Sequence, residues 1–144
     1  MAGSGTAHLR DVAEDPVLRV EHMVVEFPIG NTGAKVHAVS DVSIDLLPGE
    51  TMGIVGESGC GKSTLISSIL RLIAPNTRFR SGEVRFKGED LLKAPERKIR
   101  DLRGDDISIV FQDPMQTHNP VISIGQQMVD IQHRSKASKA EKLT

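Results

Sequence analysis

Eight consecutive residues, Gly56-Glu57-Ser58-Gly59-Cys60-Gly61-Lys62-Ser63, put three glycines, a lysine and a hydroxyl on one short loop. The spacing G-x-x-x-x-G-K-[ST] suits a phosphate chain. Glycines let the backbone turn successive N–H groups inward as an anion nest. Lys62 can reach β- and γ-phosphates, and the Ser63 hydroxyl can ligate Mg²⁺. Thr64 follows, where its N–H and hydroxyl can approach the α-phosphate region. The bland alternative is a glycine-rich connector with no ligand. Cys60 divides in the same way: a redox-sensitive thiol, or simply a small side chain in a tight loop.

Such a loop works only between a buried strand and a helix that aims its N-terminus at the anion, a placement worth roughly 0.3–1 kcal/mol at exposed sites. "TMGIVG", residues 51–56, has the short apolar character of a buried parallel strand. Beyond the loop, Leu65, Ile66, Ile69, Leu70 and Ile73 fall at helical spacing until Pro75 stops the pattern. The complete strand–loop–helix context strongly disfavours the bland alternative.

Upstream, residues 17–27 and 36–46 read as strands around a turn holding Pro28, Gly30, Asn31 and Gly33. Downstream, 81–92 reads as a strand with a turn at Lys87-Gly88, 94–104 as a short basic helix, and 106–112 as a further strand. Residues 113–120 form a loop bracketed by Pro114 and Pro120, and Ile124, Met128 and Ile131 mark an amphipathic helix. Residues 1–16 are small, polar and acidic and are expected to form a mobile tail, leaving 17–144 as the domain.

The totals exclude several function classes. A net charge of -1 gives no electrostatic drive toward nucleic acid, and 3% aromatic residues leave no base-stacking platform. Glu96 and Asp101 interrupt the basic run 93–103, which reads as a solvated helix face. A single cysteine rules out an internal disulfide and points to a reducing compartment. No secretory signal is read at the N-terminus, and no apolar run approaches the roughly 20 residues needed to span a bilayer.

"GESGCGKSTL" followed by "IVFQDPMQTHNPVISIG" resembles the ATP-binding subunit of an ABC transporter, in its oligopeptide/dipeptide permease branch. "VHAVSDVSIDLLPGETMGIVGESGCGKST" and "SGEVRFKGEDLL" are similar to the same branch, and together the likeness covers about 17–134. It implies an α/β fold: a P-loop NTPase core with an antiparallel β-subdomain and the start of a helical subdomain, an incomplete ABC ATPase domain. It also implies ATP and Mg²⁺ as cofactors, with Lys62 and Gln112 catalytic and with Ser63 and Gln112 at the metal. An amide suits the role of Gln112, since it can ligate through oxygen and donate through nitrogen. Phe27 stands where the family's adenine-stacking aromatic is expected, although it equally suits the core end of a strand; His37 is a weaker stacking candidate. The loop from Gln112 to Pro120 is implied to meet transmembrane permease subunits, with Met115 as an apolar contact, and a second ATPase subunit completes a homo- or heterodimer. This implies a peripheral place on the cytoplasmic face of the membrane.

The chain departs from the branch in carrying Thr117-His118 where a Ser-Leu pair is usual; His118 reads as a solvated loop residue or a tuned coupling contact. The Leu-Ser-Gly-Gly-Gln signature, the apolar run ending in Asp-Glu and the switch histidine do not occur. The expectation is therefore the N-terminal part of such an ATPase, able to bind nucleotide but not to turn it over alone. With central strands of the parallel sheet missing, it is expected to be marginally stable or aggregation-prone. A small kinase or GTPase is a third reading, and no Asn-Lys-x-Asp pattern supports it.

Overall fold

The structure is a computed structural model that describes residues 5–8 (as backbone), 15–30, 33–112, 118–132 and 135–143. The chain divides into two compact units, Met1–Asp106 and Ile107–Thr144.

The first unit is built on a five-stranded sheet. Its strands are β1 (Gly5–His8), β2 (Leu18–Pro28), β3 (Lys35–Leu46), β4 (Arg78–Phe86) and β5 (Glu89–Asp90), in the order β1-β3-β2-β4-β5. β2 lies antiparallel to both β3 and β4, β5 closes a hairpin with β4, and β1 adds parallel to β3. This is the expected antiparallel subdomain. Alternation along β2, β3 and β4 sends Val20, Met23, Val25, Val39, Ile44, Val84 and Phe86 into the core, where Leu91 and Ile99 join them. Strand β1 falls inside the stretch read as a mobile tail; its four residues are ordered by pairing with β3, which their composition does not announce.

A band of irregular pairing crosses the three central strands. His22 and Asp41 both have positive φ, and His22 Nδ1 lies 2.8 Å from Asp41 Oδ1. Next to them, Gly82 (φ 105) passes so close to β2 that an added Cβ would stand 2.6 Å from the Met23 Cα and 2.7 Å from the His22 carbonyl oxygen. Only glycine fits there.

Two helices complete this unit. α1 (Lys62–Ile69) buries Leu65, Ser68 and Ile69 and stops sooner than the spacing through Ile73 predicts. The stop has a defined geometry. Arg71 adopts φ 54, its N–H donates to the Ser68 carbonyl at 3.0 Å, and the Leu72 N–H donates to the Ser67 carbonyl at 2.8 Å. That pair of bonds is a Schellman motif with arginine where glycine is usual. α2 (Glu96–Asp105) buries Ile99 and breaks at Arg103 and Gly104, which leave helical geometry. The break lays the Arg103 guanidinium on the end of α1, donating to the carbonyls of Leu70 (2.7 and 3.0 Å) and Arg71 (3.2 Å).

Two expected strands are absent. Residues 51–57 form no strand, and Val55 is 92% exposed. Residues 108–112 form none either; only Ile107 makes a bridge, and Val110 is 87% exposed. A parallel strand is held by neighbours on its edges, and no described strand lies beside either segment.

In the second unit, α3 (Ile124–Ile131) is capped by Ser123, whose side chain accepts from the Gln126 N–H. The Gln127 amide ties the preceding turn by accepting from the Asn119 N–H and donating to the carbonyls of Asn119 and Ile122. The amphipathic helix forms as expected, yet Ile124, Met128 and Ile131 all remain exposed.

Candidate nucleotide-binding site

β3 supplies one wall of the candidate site and the glycine loop supplies its floor. A cleft of about 400 Å³ is lined by Val36, His37, Ala38, Gly59, Cys60, Gly61, Lys62, Ser63 and Thr64. Six of the nine candidate loop residues therefore share one cavity. Gly56, Glu57 and Ser58 form the exposed approach to it.

Gly61 carries the geometry. It is the N-cap of α1 at φ 97, with no side-chain cap, so the first-turn N–H groups are not covered by a capping side chain. A Cβ there would lie 2.1 Å from the Ala38 carbonyl oxygen, so the loop can press against β3 only because the residue is glycine. Lys62 folds back over the loop: its Nζ donates to the carbonyls of Gly56 (2.8 Å) and Glu57 (2.7 Å), 3.4 Å from Cys60 Sγ. Phosphate oxygens are stronger partners for an ammonium than neutral carbonyls, so these bonds hold the lysine where a phosphate can claim it. Uncapped N–H groups, a cradle that excludes Cβ and a cation at its rim together fit a phosphate chain. Among the described residues no cluster of three or more His, Cys, Asp or Glu side chains could hold a metal, and the Ser63 hydroxyl at the head of α1 is exposed.

A second cleft, about 480 Å³, gathers Arg19, Arg85 and Lys87. Each of these already holds a carboxylate: Arg19 to Glu21 (2.5 Å), Arg85 to Glu83 (3.0 Å) and Lys87 to Asp106 (2.6 Å). It offers no uncommitted anion cradle comparable to the loop.

The remaining candidates sit elsewhere. Phe27 is half-buried on β2 and does not line the cleft, although its cross-strand partner Val36 does. Gln112 is an exposed residue of the second unit. Asp113, Pro114, Met115 and Thr117 lie outside the described residues; His118, Asn119 and Pro120 are exposed. The β3 wall went unread in the sequence apart from His37, as did a buried acid behind it. Glu26 lies between Lys35 Nζ (3.1 Å), Arg80 Nη1 (3.2 Å) and His37 Nδ1 (3.4 Å). Lys35 above all holds its carboxyl below the usual range, against the opposing effect of burial. One signal was available: a glutamate inside "VVEFP", with Lys35 and His37 just across the following turn.

The sheet, the Gly61 cradle and the helix behind it define a nucleotide-binding cassette fold, and the sequence pattern of the ABC transporter family matches residues 39–144. The chain belongs to that family. It is 41% identical over 129 residues to the dipeptide transport ATP-binding protein DppD of Bacillus subtilis, covering 88% of this chain and 38% of the relative. It is 39% identical to DppD of Lactococcus lactis (90% and 37% covered) and 43% identical to the peptidoglycan transport ATP-binding protein YejF of Agrobacterium fabrum (85% and 22%). The chain thus spans well under half the length of these relatives. A solved dimeric ATP-binding cassette bound to ADP and Pi superposes with a TM-score of 0.73 at 22% identity, over 88% of this chain and 52% of the cassette. That likeness establishes the fold, here in incomplete form.

Proposed function

We propose that the chain is the nucleotide-binding part of an ATPase subunit of an ABC importer for peptides or similar small solutes. In the intact protein it couples ATP hydrolysis to transport. The observation that carries this reading is the Gly61 cradle with Lys62 at its rim, in a chain whose relatives are named for dipeptide transport.

In this reading the N–H groups of residues 56–61 and the α1 N-terminus hold the phosphates. Lys62 exchanges its carbonyl partners for β- and γ-phosphate oxygens, and Thr64 steadies the α-phosphate. Ser63 and Gln112 are the residues that would hold Mg²⁺, and the metal would supply charge neutralisation for phosphoryl transfer. Phe27, next to the cleft wall through Val36, supports the adenine. The segment between Gln112 and Pro120 meets the membrane-embedded permease subunits, and a second ATPase subunit completes the site. The protein then sits peripherally at the cytoplasmic face of the membrane; among the described residues no helix is long and apolar enough to cross it.

A second reading, binding without turnover, is favoured for these 144 residues by themselves, because no apolar run ending in Asp-Glu supplies a base for the attacking water. Steady-state MgATP hydrolysis by this chain, and by one extended by the C-terminal portion of such a relative, separates the two. Turnover is expected from the extended protein only, and robust Lys62-dependent turnover by the 144 residues would overturn the assignment.

A further inference from the structure

His37 lines the cleft beside residues 59–64 with its side chain 56% exposed. Its Nδ1 faces Glu26 Oε1 across 3.4 Å. Glu26 is no ordinary surface acid: its side chain is 4% exposed and is fixed from β3 by Lys35 and from β4 by Arg80. A carboxylate is tolerated in such a place only when well paired, so it is a rigid anchor. An imidazole whose Nδ1 faces that carboxylate presents Nε2, on the opposite edge of the ring, to another partner.

The two sides of the cleft differ in chemistry. The loop side holds the N–H nest, the helix N-terminus and Lys62, all suited to phosphate. The β3 side is lined by Val36, His37 and Ala38, two apolar residues and one that carries an imidazole. That composition suits an uncharged, hydroxyl-bearing group.

We propose that His37, oriented by Glu26, hydrogen-bonds through Nε2 to the sugar of the bound nucleoside triphosphate, with Glu26 its positioning residue. The inference rests on the nucleotide reading of the loop and adds a contact that distinguishes a nucleotide from a bare phosphate chain.

Calorimetric titrations with MgATP and with magnesium tripolyphosphate, which has no nucleoside, test it. His37→Ala and His37→Phe should each weaken MgATP binding roughly three- to ten-fold, the size of one hydrogen bond, and leave tripolyphosphate binding unchanged. Glu26→Gln should match that loss, and the double variant E26Q/H37A should be no weaker than H37A alone. Arg80→Gln leaves the Glu26 carboxylate in place and still paired with Lys35, and should retain MgATP affinity. Wild-type affinity in H37F would overturn the inference in favour of ring packing. An equal loss for tripolyphosphate would overturn it in favour of a phosphate contact. Should E26Q fail to fold, as its melting curve would reveal, the H37A and H37F titrations still decide. A wild-type chain that binds neither ligand refutes the nucleotide reading itself, whereas binding of both with H37A and H37F unaffected refutes only the histidine contact.

Discussion

The sheet of the first unit and the two apolar stretches at 51–55 and 107–111 are made of similar residues and end in opposite environments. Val20, Val25 and Val84 are completely buried, while Val55 and Val110 are almost bare. Strand β2 is bonded on both edges, by β3 and by β4, and its bulges are absorbed by His22, Asp41 and Gly82. Apart from the single bridge at Ile107, the two bare stretches pair with no strand of the described sheet. A valine gains the roughly 1.5–3 kcal/mol of burial only when another element covers it. Strand character is thus a property of the assembly, and the phosphate loop here hangs between an unpaired segment and a well-packed helix.

The contrast can be broken most sharply by paired core and surface substitutions. Met23→Ala should cost roughly 2–5 kcal/mol in denaturant unfolding, because it hollows the buried sheet. Val55→Ala should change stability by no more than about 0.5 kcal/mol. A comparable loss at both positions would mean that residues 51–57 are packed in solution, and the contrast would fail.

A smaller effect sharpens the account of the loop's helix. Arg103→Ala removes the guanidinium from the end of α1 and should cost roughly 1–2 kcal/mol, the lower part of the range for charged hydrogen bonds, since the side chain is partly solvated. Thermal melting checks this; an unchanged midpoint would mean that the Schellman turn at Arg71 suffices alone.

The smallest expected effect is a pH dependence at Glu26. Its carboxyl is held below the ordinary value of 4.5, chiefly by Lys35, so the unfolded chain takes up the proton first as pH falls. The stabilisation is present above pH 4.5 and disappears as pH falls through the lower folded value. Stability measured from pH 6 down to acid should decline more steeply in the native chain than in Glu26→Gln, and parallel curves would dismiss the ion cluster as a contributor.

Much of this was legible in the residues, and the limits have physical causes. β2, β3 and the β4–β5 hairpin follow from alternation and from turn residues such as Lys87-Gly88, which are local signals. The loop is legible because phosphate binding needs glycine at fixed steps. The loss of strand structure at 51–57 was not readable locally, since pairing depends on distant neighbours. The early end of α1 lacks a glycine to announce it and is secured by Arg103, 33 residues away from Leu70. Glu26 was passed over because its three partners come from two other strands, and only register brings them together.

The central claim is that residues 56–64 form a cradle for a nucleotide's phosphates with Lys62 at its rim. Isothermal titration of MgATP into this chain and into its Lys62→Ala variant tests it most directly. The account predicts saturable binding by the native chain and none measurable in the variant; equal affinity in the two would contradict it.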